Sequence, residues 1–335
     1  MINQIHLLFS RKFCLFSLLS AITFSPIVSA EKTIDHYGTH PKALLFVEKM
    51  VDQHGFDRVY VQNLMNNAQK KQKILDAIAR PAEKTKSWKQ YRKIFLSEKR
   101  TMQGKAFLRD QAETLARAEH DFGVPKEIIA AIIGVETQYG KYKGNWRVVD
   151  ALATLGFDYP PRSKFFSREL EQYLLMVREQ KLDAKEVKGS YAGAIGYGQF
   201  IPSSYRSYAI DFDGDGIADI VNNVTDAIGS VANYFKAHGW RPGEQITSGA
   251  EVIKDYNSSL ANGKLKPKYT VGQLREQGYK PVLDISNDAM ATPLRLMGEL
   301  GEEHWLGLQN FYVITRYNHS RLYAMAVFQL SETLK

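Results

Sequence analysis

The chain has 335 residues, 44 Lys and Arg against 36 Asp and Glu, a formal charge of +8 and one cysteine. That length holds one large or two modest domains with a real core, and a single cysteine excludes a disulfide-built fold. The basic excess is too dispersed for a nucleic-acid protein, and no zinc-type His/Cys cluster, phosphate-cradling Gly loop or internal repeat is present.

Residues 1–30 have the pattern of a signal peptide. Arg11 and Lys12 precede an apolar run, Phe13 to Val28, and Val28-Ser29-Ala30 is a small-residue cleavage site. Cys14 lies at the start of that run rather than directly after it, where a lipid-attachment cysteine belongs. The expectation is a soluble, exported, periplasmic protein without cysteine. Apolar residues at helical spacing predict helices over Lys42 to Met50 and Val59 to Ala79, with Pro81 as a stop, then Trp88 to Phe95 and Phe107 to Phe122.

Val124 to Gly140, VPKEIIAAIIGVETQYG, reads as a helix, with Ile128, Ile129, Ile132 and Ile133 at helical spacing, Pro125 suited to its first turn and Gly140 offering a stop. Glu136 continues its isoleucine face. Burial and the negative end of the helix would both raise the pKa of such an acid, which suits a general acid; a salt-bridged surface glutamate is the plainer alternative. A short helix at Val148 to Leu155 and a strong one at Phe165 to Lys181 follow. Between Gly189 and Tyr205, GSYAGAIGYGQFIPSSY carries four glycines among aromatics. It reads either as a cleft offering donors from Ser190 and Gln199 or as a tight helix crossing.

Asp211-Phe212-Asp213-Gly214-Asp215-Gly216-Ile217 matches the EF-hand calcium loop, with oxygen ligands at one, three and five, Gly at six and a carbonyl at seven. Asn222 stands at position twelve, where a bidentate Glu is expected, and Asp226 is the available replacement. A lengthened loop without that Glu implies weak calcium binding, on the order of 10⁻⁴ to 10⁻³ M. A helix over Asp226 to His238 follows. From Trp240 glycine, proline and asparagine multiply, with strand-like pieces at Pro281 to Ile285 and Gln309 to Thr315, and a last helix runs from Leu322 to Leu330.

IIGVETQYG, GSYAGAIGYGQFIPSSY, DFDGDG with DAIGSVANYFKAHGW, and ITRYNHSRLYAMAVF resemble, in that order, the lytic murein transglycosylase B family. The resemblance implies a mainly α (α+β) fold: an N-terminal helical domain at 31–100, a lysozyme-like catalytic core at 101–240, a small α+β insertion at 241–308 and a return to the core at 309–335. It implies cleavage of the β-1,4 bond between N-acetylmuramic acid and N-acetylglucosamine, leaving 1,6-anhydro ends. By motif, Glu136 is the single acid/base; Ser190 and Gln199 contact the sugar at the reaction centre. Tyr91, Tyr234, Tyr317 and Tyr323 are aromatic positions of the glycan groove, with Asn318 beside Tyr317 and Arg162 on the groove wall, where Pro161 replaces the first of two arginines. Asp211, Asp213, Asp215, the Ile217 carbonyl and Asp226 hold calcium. No organic cofactor is implied. The implied partners are peptidoglycan strands, with cell-wall synthesis proteins as candidates; a monomer is expected, and no nucleic acid. The competing functions are a muramidase that admits water and a non-catalytic peptidoglycan-binding protein.

Overall fold

The computed structural model describes residues 36–79 and 86–335; the expected signal peptide, with Cys14, and Pro81 lie outside the described residues. The chain begins with α1 (Pro41–His54), α2 (Arg58–Asn67) and α3 (Gln72–Ile78). One helix was expected over Val59 to Ala79. It is two because tertiary contacts claim the backbone between them. The Gln69 and Lys71 amides donate to Asp150 Oδ1 and Thr154 Oγ1, and Arg147 holds the Asn67 carbonyl.

Next come α4 (Trp88–Phe95), α5 (Glu98–Asp110), α6 (Ala112–Phe122) and α7 (Lys126–Thr137). The expected Phe107 to Phe122 helix is also divided, at Gln111, whose φ of −115° and ψ of 24° leave the helical region. A short β1 (Trp146–Arg147) leads into α8 (Val148–Asp158) and α9 (Ser163–Glu179); β2 (Lys188–Gly189) pairs antiparallel with β1. α10 (Pro202–Tyr208) and α11 (Val224–Ala237) bracket the acidic loop.

The remaining strands lie between Thr247 and Gly307: β3 (Thr247–Val252), β4 (Tyr269–Thr270), β5 (Tyr279–Pro281), β6 (Met290–Met297) and β7 (Glu302–Gly307), with α12 (Val271–Glu276) after β4. They form one sheet in the order β4-β6-β7-β3-β5, all pairs antiparallel. The chain closes with α13 (Gln309–Tyr317) and α14 (Arg321–Leu334). The strand expected over Gln309 to Thr315 is thus a helix. Its aromatic and β-branched composition suggested a strand, but Asn310, Phe311 and Ile314 are buried at helical spacing and Asn310 holds the Arg241 and Glu244 carbonyls. Context overrides the weak strand preference.

One apolar cluster combines α1–α3 with α8–α10; a second combines α4–α7 with α11, α13 and α14, and reaches Leu294 and Leu296 of β6. The interior is therefore continuous across residue 100. α7 sits inside the second cluster against α5, α11 and α14. Ile128, Ile129, Ile132 and Ile133 are at most 2% exposed, each contributing about 1.5–3 kcal/mol of burial. No helix among the described residues is long and apolar enough to cross a membrane.

Candidate active site

α7 starts at Lys126, with Pro125 one residue before it at the N-cap, and ends at Thr137 rather than Gly140. Gln138 and Tyr139 take the left-handed conformation, φ 52° and 59°. Such residues cost about 1–2 kcal/mol each, so the turn must be held from outside. The Gln138 and Tyr139 amides close onto the Gly134 and Ile133 carbonyls, and the Tyr142 amide onto Thr137. Arg100 of α5 also donates to the Gly134 carbonyl. The Tyr139 ring fills a slot where Gly104 and Gly134 face it; a Cβ at either glycine would lie under 3 Å from that ring or its hydroxyl. Every one of these contacts fixes the residue just before the turn, Glu136.

Thr137 adds the cross-link. Its Oγ1 accepts from the Gly140 amide at 2.9 Å and lies 2.9 Å from the Tyr197 carbonyl, to which it donates. The end of α7 is thereby tied to the glycine-rich stretch. That stretch is a loop, not a helix crossing: Gly189 bridges to Ile195 and Ile195 to Phe200.

Glu136 is half-buried, and the Tyr323 hydroxyl of α14 donates to its Oε1 at 2.6 Å. The Tyr323 and Tyr317 rings stack with centroids 6.5 Å apart and planes at 9°. Tyr317 donates to the Gly198 carbonyl at 2.5 Å, and a side chain at Gly198 would come within 2.7 Å of that hydroxyl. Burial first, then the neighbouring Glu136 charge, pushes both phenols well above their ordinary range, so each remains a donor. Three distant segments, 136–140, 189–200 and 317–323, thus meet at one carboxylate.

Ser190 Oγ accepts from the Ala192 and Ala194 amides at 3.2 and 3.0 Å. A hydroxyl has one proton and two acceptor positions, so both acceptors are used and the proton is left for a ligand. Gln199 departs from the expectation that it donates into a cleft. Its Nε2 donates to the Lys143 and Gly196 carbonyls at 3.1 and 2.9 Å, leaving Oε1 as the group it can offer.

Three of the four groove tyrosines also differ from open stacking platforms. Tyr91 is 3%, Tyr323 2% and Tyr234 7% exposed, so their faces are packed. Tyr91 lies against Phe95; Tyr234 donates to the Arg316 carbonyl at 2.6 Å and meets the Tyr317 ring edge-on at 4.8 Å. They build the wall behind the site, and Tyr317 is the more open ring. Asn318 follows Tyr317 at the end of α13, and Arg162 lies exposed over Phe165 with its guanidinium 4.3 Å from the ring centre. Sequence reasoning missed Thr137 and Tyr197. The only local signal was a Thr directly after the acid, and its partner lies sixty residues away.

In the acidic loop, carboxylate oxygens of Asp211, Asp213 and Asp226 lie within 4.8 Å of one another. Asp226 is fully buried, accepting from the Phe212 and Asp219 amides at 2.7 and 2.8 Å. Burial nevertheless pushes its carboxyl up, outweighing those amides, and the nearby Asp213 charge adds to the rise. Crowded carboxylate oxygens laced by backbone amides suit a hard divalent cation. Asp215 stands outside this cluster, and its Oδ1 accepts from the Ile217 amide at 2.8 Å.

A family model for the transglycosylase SLT domain matches residues 39–332. The chain belongs to this family. It is 45% identical over 307 residues to membrane-bound lytic murein transglycosylase B of Escherichia coli K12, a match covering 89% of this chain and 84% of the relative. The solved structure of catenated lytic transglycosylase SltB1 from Pseudomonas aeruginosa superposes with a TM-score of 0.86 at 50% identity, covering 89% of this chain and 98% of that one. Lytic transglycosylase Slt35 of Escherichia coli, solved in complex with calcium, gives 0.82 at 43% identity, covering 91% and 97%. The fold of this SLT-domain chain is accordingly the lysozyme-like one of those transglycosylases, with Glu136 on the helix at its centre.

Proposed function

We propose that this SLT-domain chain cleaves the MurNAc-β-1,4-GlcNAc bond of peptidoglycan with Glu136 as its only catalytic carboxyl. The observation that carries the reading is the Tyr323–Glu136 hydrogen bond, made among three segments that contain no second acid. None of residues 137–149, 189–205 or 317–323 is Asp or Glu. Glycosidases that use water need a second carboxylate as base or nucleophile. Here the substrate supplies the missing groups.

Glu136 protonates the glycosidic oxygen, and the C1–O bond breaks with the electron pair going to the departing GlcNAc. The muramic N-acetyl oxygen stabilises the cationic centre, oriented by the free Ser190 proton. Glu136, now ionised, takes the proton from the C6 hydroxyl, whose oxygen closes on C1 to give the 1,6-anhydro ring. That hydroxyl belongs to the same sugar and so outcompetes solvent through its high effective concentration. Tyr323 donates to Glu136 while it is ionised, and Tyr317 supplies the ring beside it. The experiment is release of soluble muropeptides from purified murein by wild type and Glu136→Gln. The variant is expected to release none above background; undiminished release would end the reading.

The reading extends to the acidic loop and to location. Asp211, Asp213 and Asp226 hold a structural calcium ion that pins the segment between α10 and α11, consistent with the calcium complex of Slt35. The substrate and the leader-like residues 1–30 support a periplasmic protein acting on glycan strands.

A further inference from the structure

The segment that leaves the Glu136 turn, Lys141 to Asn145, has a tightly held backbone and one side chain that is not packed. The Tyr142 amide donates to the Thr137 carbonyl at 2.9 Å. The Lys143 carbonyl accepts from Gln199 Nε2 at 3.1 Å. The Lys143 ammonium donates to the Val221 carbonyl at 2.6 Å and lies 4.5 Å from the centre of the Tyr197 ring. Gly144, at φ 95°, presses on the glycine-rich loop: a Cβ there would lie 2.1 Å from the Gly189 carbonyl oxygen and 2.5 Å from the Ser190 nitrogen. The segment thus spans from the Glu136 turn to the Ser190 backbone, anchored on both sides of Tyr142.

Tyr142 itself is 61% exposed. Among the described residues Tyr60 is the other exposed aromatic side chain, and its ring stacks on Phe56 with centres 6.4 Å apart. The Tyr142 ring has no such aromatic partner among the described residues; the Lys141 ammonium stands over one of its faces, 5.4 Å from the centre. A single exposed ring needs no explanation by itself. This one stands on a fixed base beside the catalytic turn, whereas Tyr91, Tyr234 and Tyr323 have packed faces. An aromatic face carries partial negative charge, so it attracts the C–H groups on the flat side of a pyranose. A ring whose base is already ordered loses little freedom when a sugar settles on it.

We infer that Tyr142 is a stacking platform for a sugar ring of the glycan strand. Glu136 is half-buried beside Tyr323, and the Tyr142 ring is open to solvent. The sugar it receives is therefore a neighbour of the pair that shares the cleaved bond, not a member of it. Lys141 covers one face of the ring, and the sugar takes the other. The inference rests on the transglycosylase reading and adds a residue that grips the strand without touching the reacting atoms.

The test measures kcat and KM on long glycan strands stripped of their peptides, with melting temperatures, for wild type, Tyr142→Ala and Tyr142→Phe. Tyr142→Ala is expected to raise KM about tenfold with kcat within about twofold, because the contact is the same in ground and transition states. Tyr142→Phe should stay within about twofold of wild type in both, since stacking uses the ring and not the hydroxyl. Both variants should melt within about 2 °C of wild type, as exposed side chains carry little packing. An unchanged KM in Tyr142→Ala would overturn the inference and leave the transglycosylase standing. So would a loss reproduced by Tyr142→Phe, or one that falls on kcat or melting temperature instead of KM. A wild type that leaves the strands uncut would remove the underlying reading and the platform with it.

Discussion

At the end of α7 a single carboxylate meets a tyrosine hydroxyl, whereas between α10 and α11 three carboxylates crowd within 4.8 Å of one another. The surroundings differ accordingly. Glu136 is approached by a neutral phenol and bounded by stacked rings; Asp211, Asp213 and Asp226 are laced by backbone amides. A neutral donor lets one acid change protonation state during a reaction. Accumulated negative charge does the reverse and calls for a cation that stays put. Under the proposed function, the first arrangement serves turnover and the second rigidity.

The two regions should therefore fail differently. The largest effect belongs to Glu136→Gln: general acid and base catalysis each contribute about 10²–10⁴-fold, so kcat should fall at least about 10³-fold with little change in melting temperature. Tyr323→Phe removes a hydrogen bond to a charged group worth about 1.5–3 kcal/mol, so turnover should drop roughly 10- to 100-fold. KM should be nearly unchanged, since the hydroxyl meets Glu136 and not the bulk of the strand. An equal loss in thermal stability would mean that Tyr323 acts only as packing.

The acidic loop should show the opposite pattern. Chelation with EGTA, or Asp226→Asn, should lower the melting temperature by about 2–4 °C, the scale of a one- to two-kcal/mol ligand contribution, with kcat at low temperature within about twofold. No melting shift on chelation would remove calcium from the account.

The smallest effect lies away from both regions. Burial alone would push Glu171 up, but hydrogen bonds from Lys49 at 2.6 Å and His54 at 2.7 Å outweigh it and hold its carboxyl below the ordinary 4.5. A depressed folded-state pKa stabilises the fold above 4.5 and loses that contribution as pH falls through the folded value. Acid melting curves of Glu171→Gln should accordingly decline less steeply below pH 4.5 than those of wild type; parallel curves would contradict the pairing.

The same contrast explains what could be read in advance. The acidic loop is local, so its spacing shows in the sequence. Asp226, sixteenth from Asp211, falls outside the regular spacing, and the fold buries that carboxylate against the Phe212 and Asp219 amides. The apolar face of α7 was equally plain, because a helix buried on all sides needs its isoleucines in consecutive turns. The Glu136 site is non-local. Periodicity cannot show that Tyr323, Thr137 and the Gly198 carbonyl meet, since 187 positions separate Tyr323 from Glu136. Motifs place these segments but not the contacts of their side chains: Gln199 spends its donors on the backbone, and Tyr91 and Tyr234 have packed faces. Tertiary contacts likewise divided two helices and turned Gln309–Tyr317 from strand to helix.

The central claim is that one carboxyl suffices because the C6 hydroxyl of the substrate replaces water. Mass spectrometry of the fragments released by the wild-type enzyme from purified murein tests it directly. Fragments ending in 1,6-anhydro-muramic acid are the predicted result; reducing muramic ends would show that water completes the reaction and contradict the single-carboxyl account.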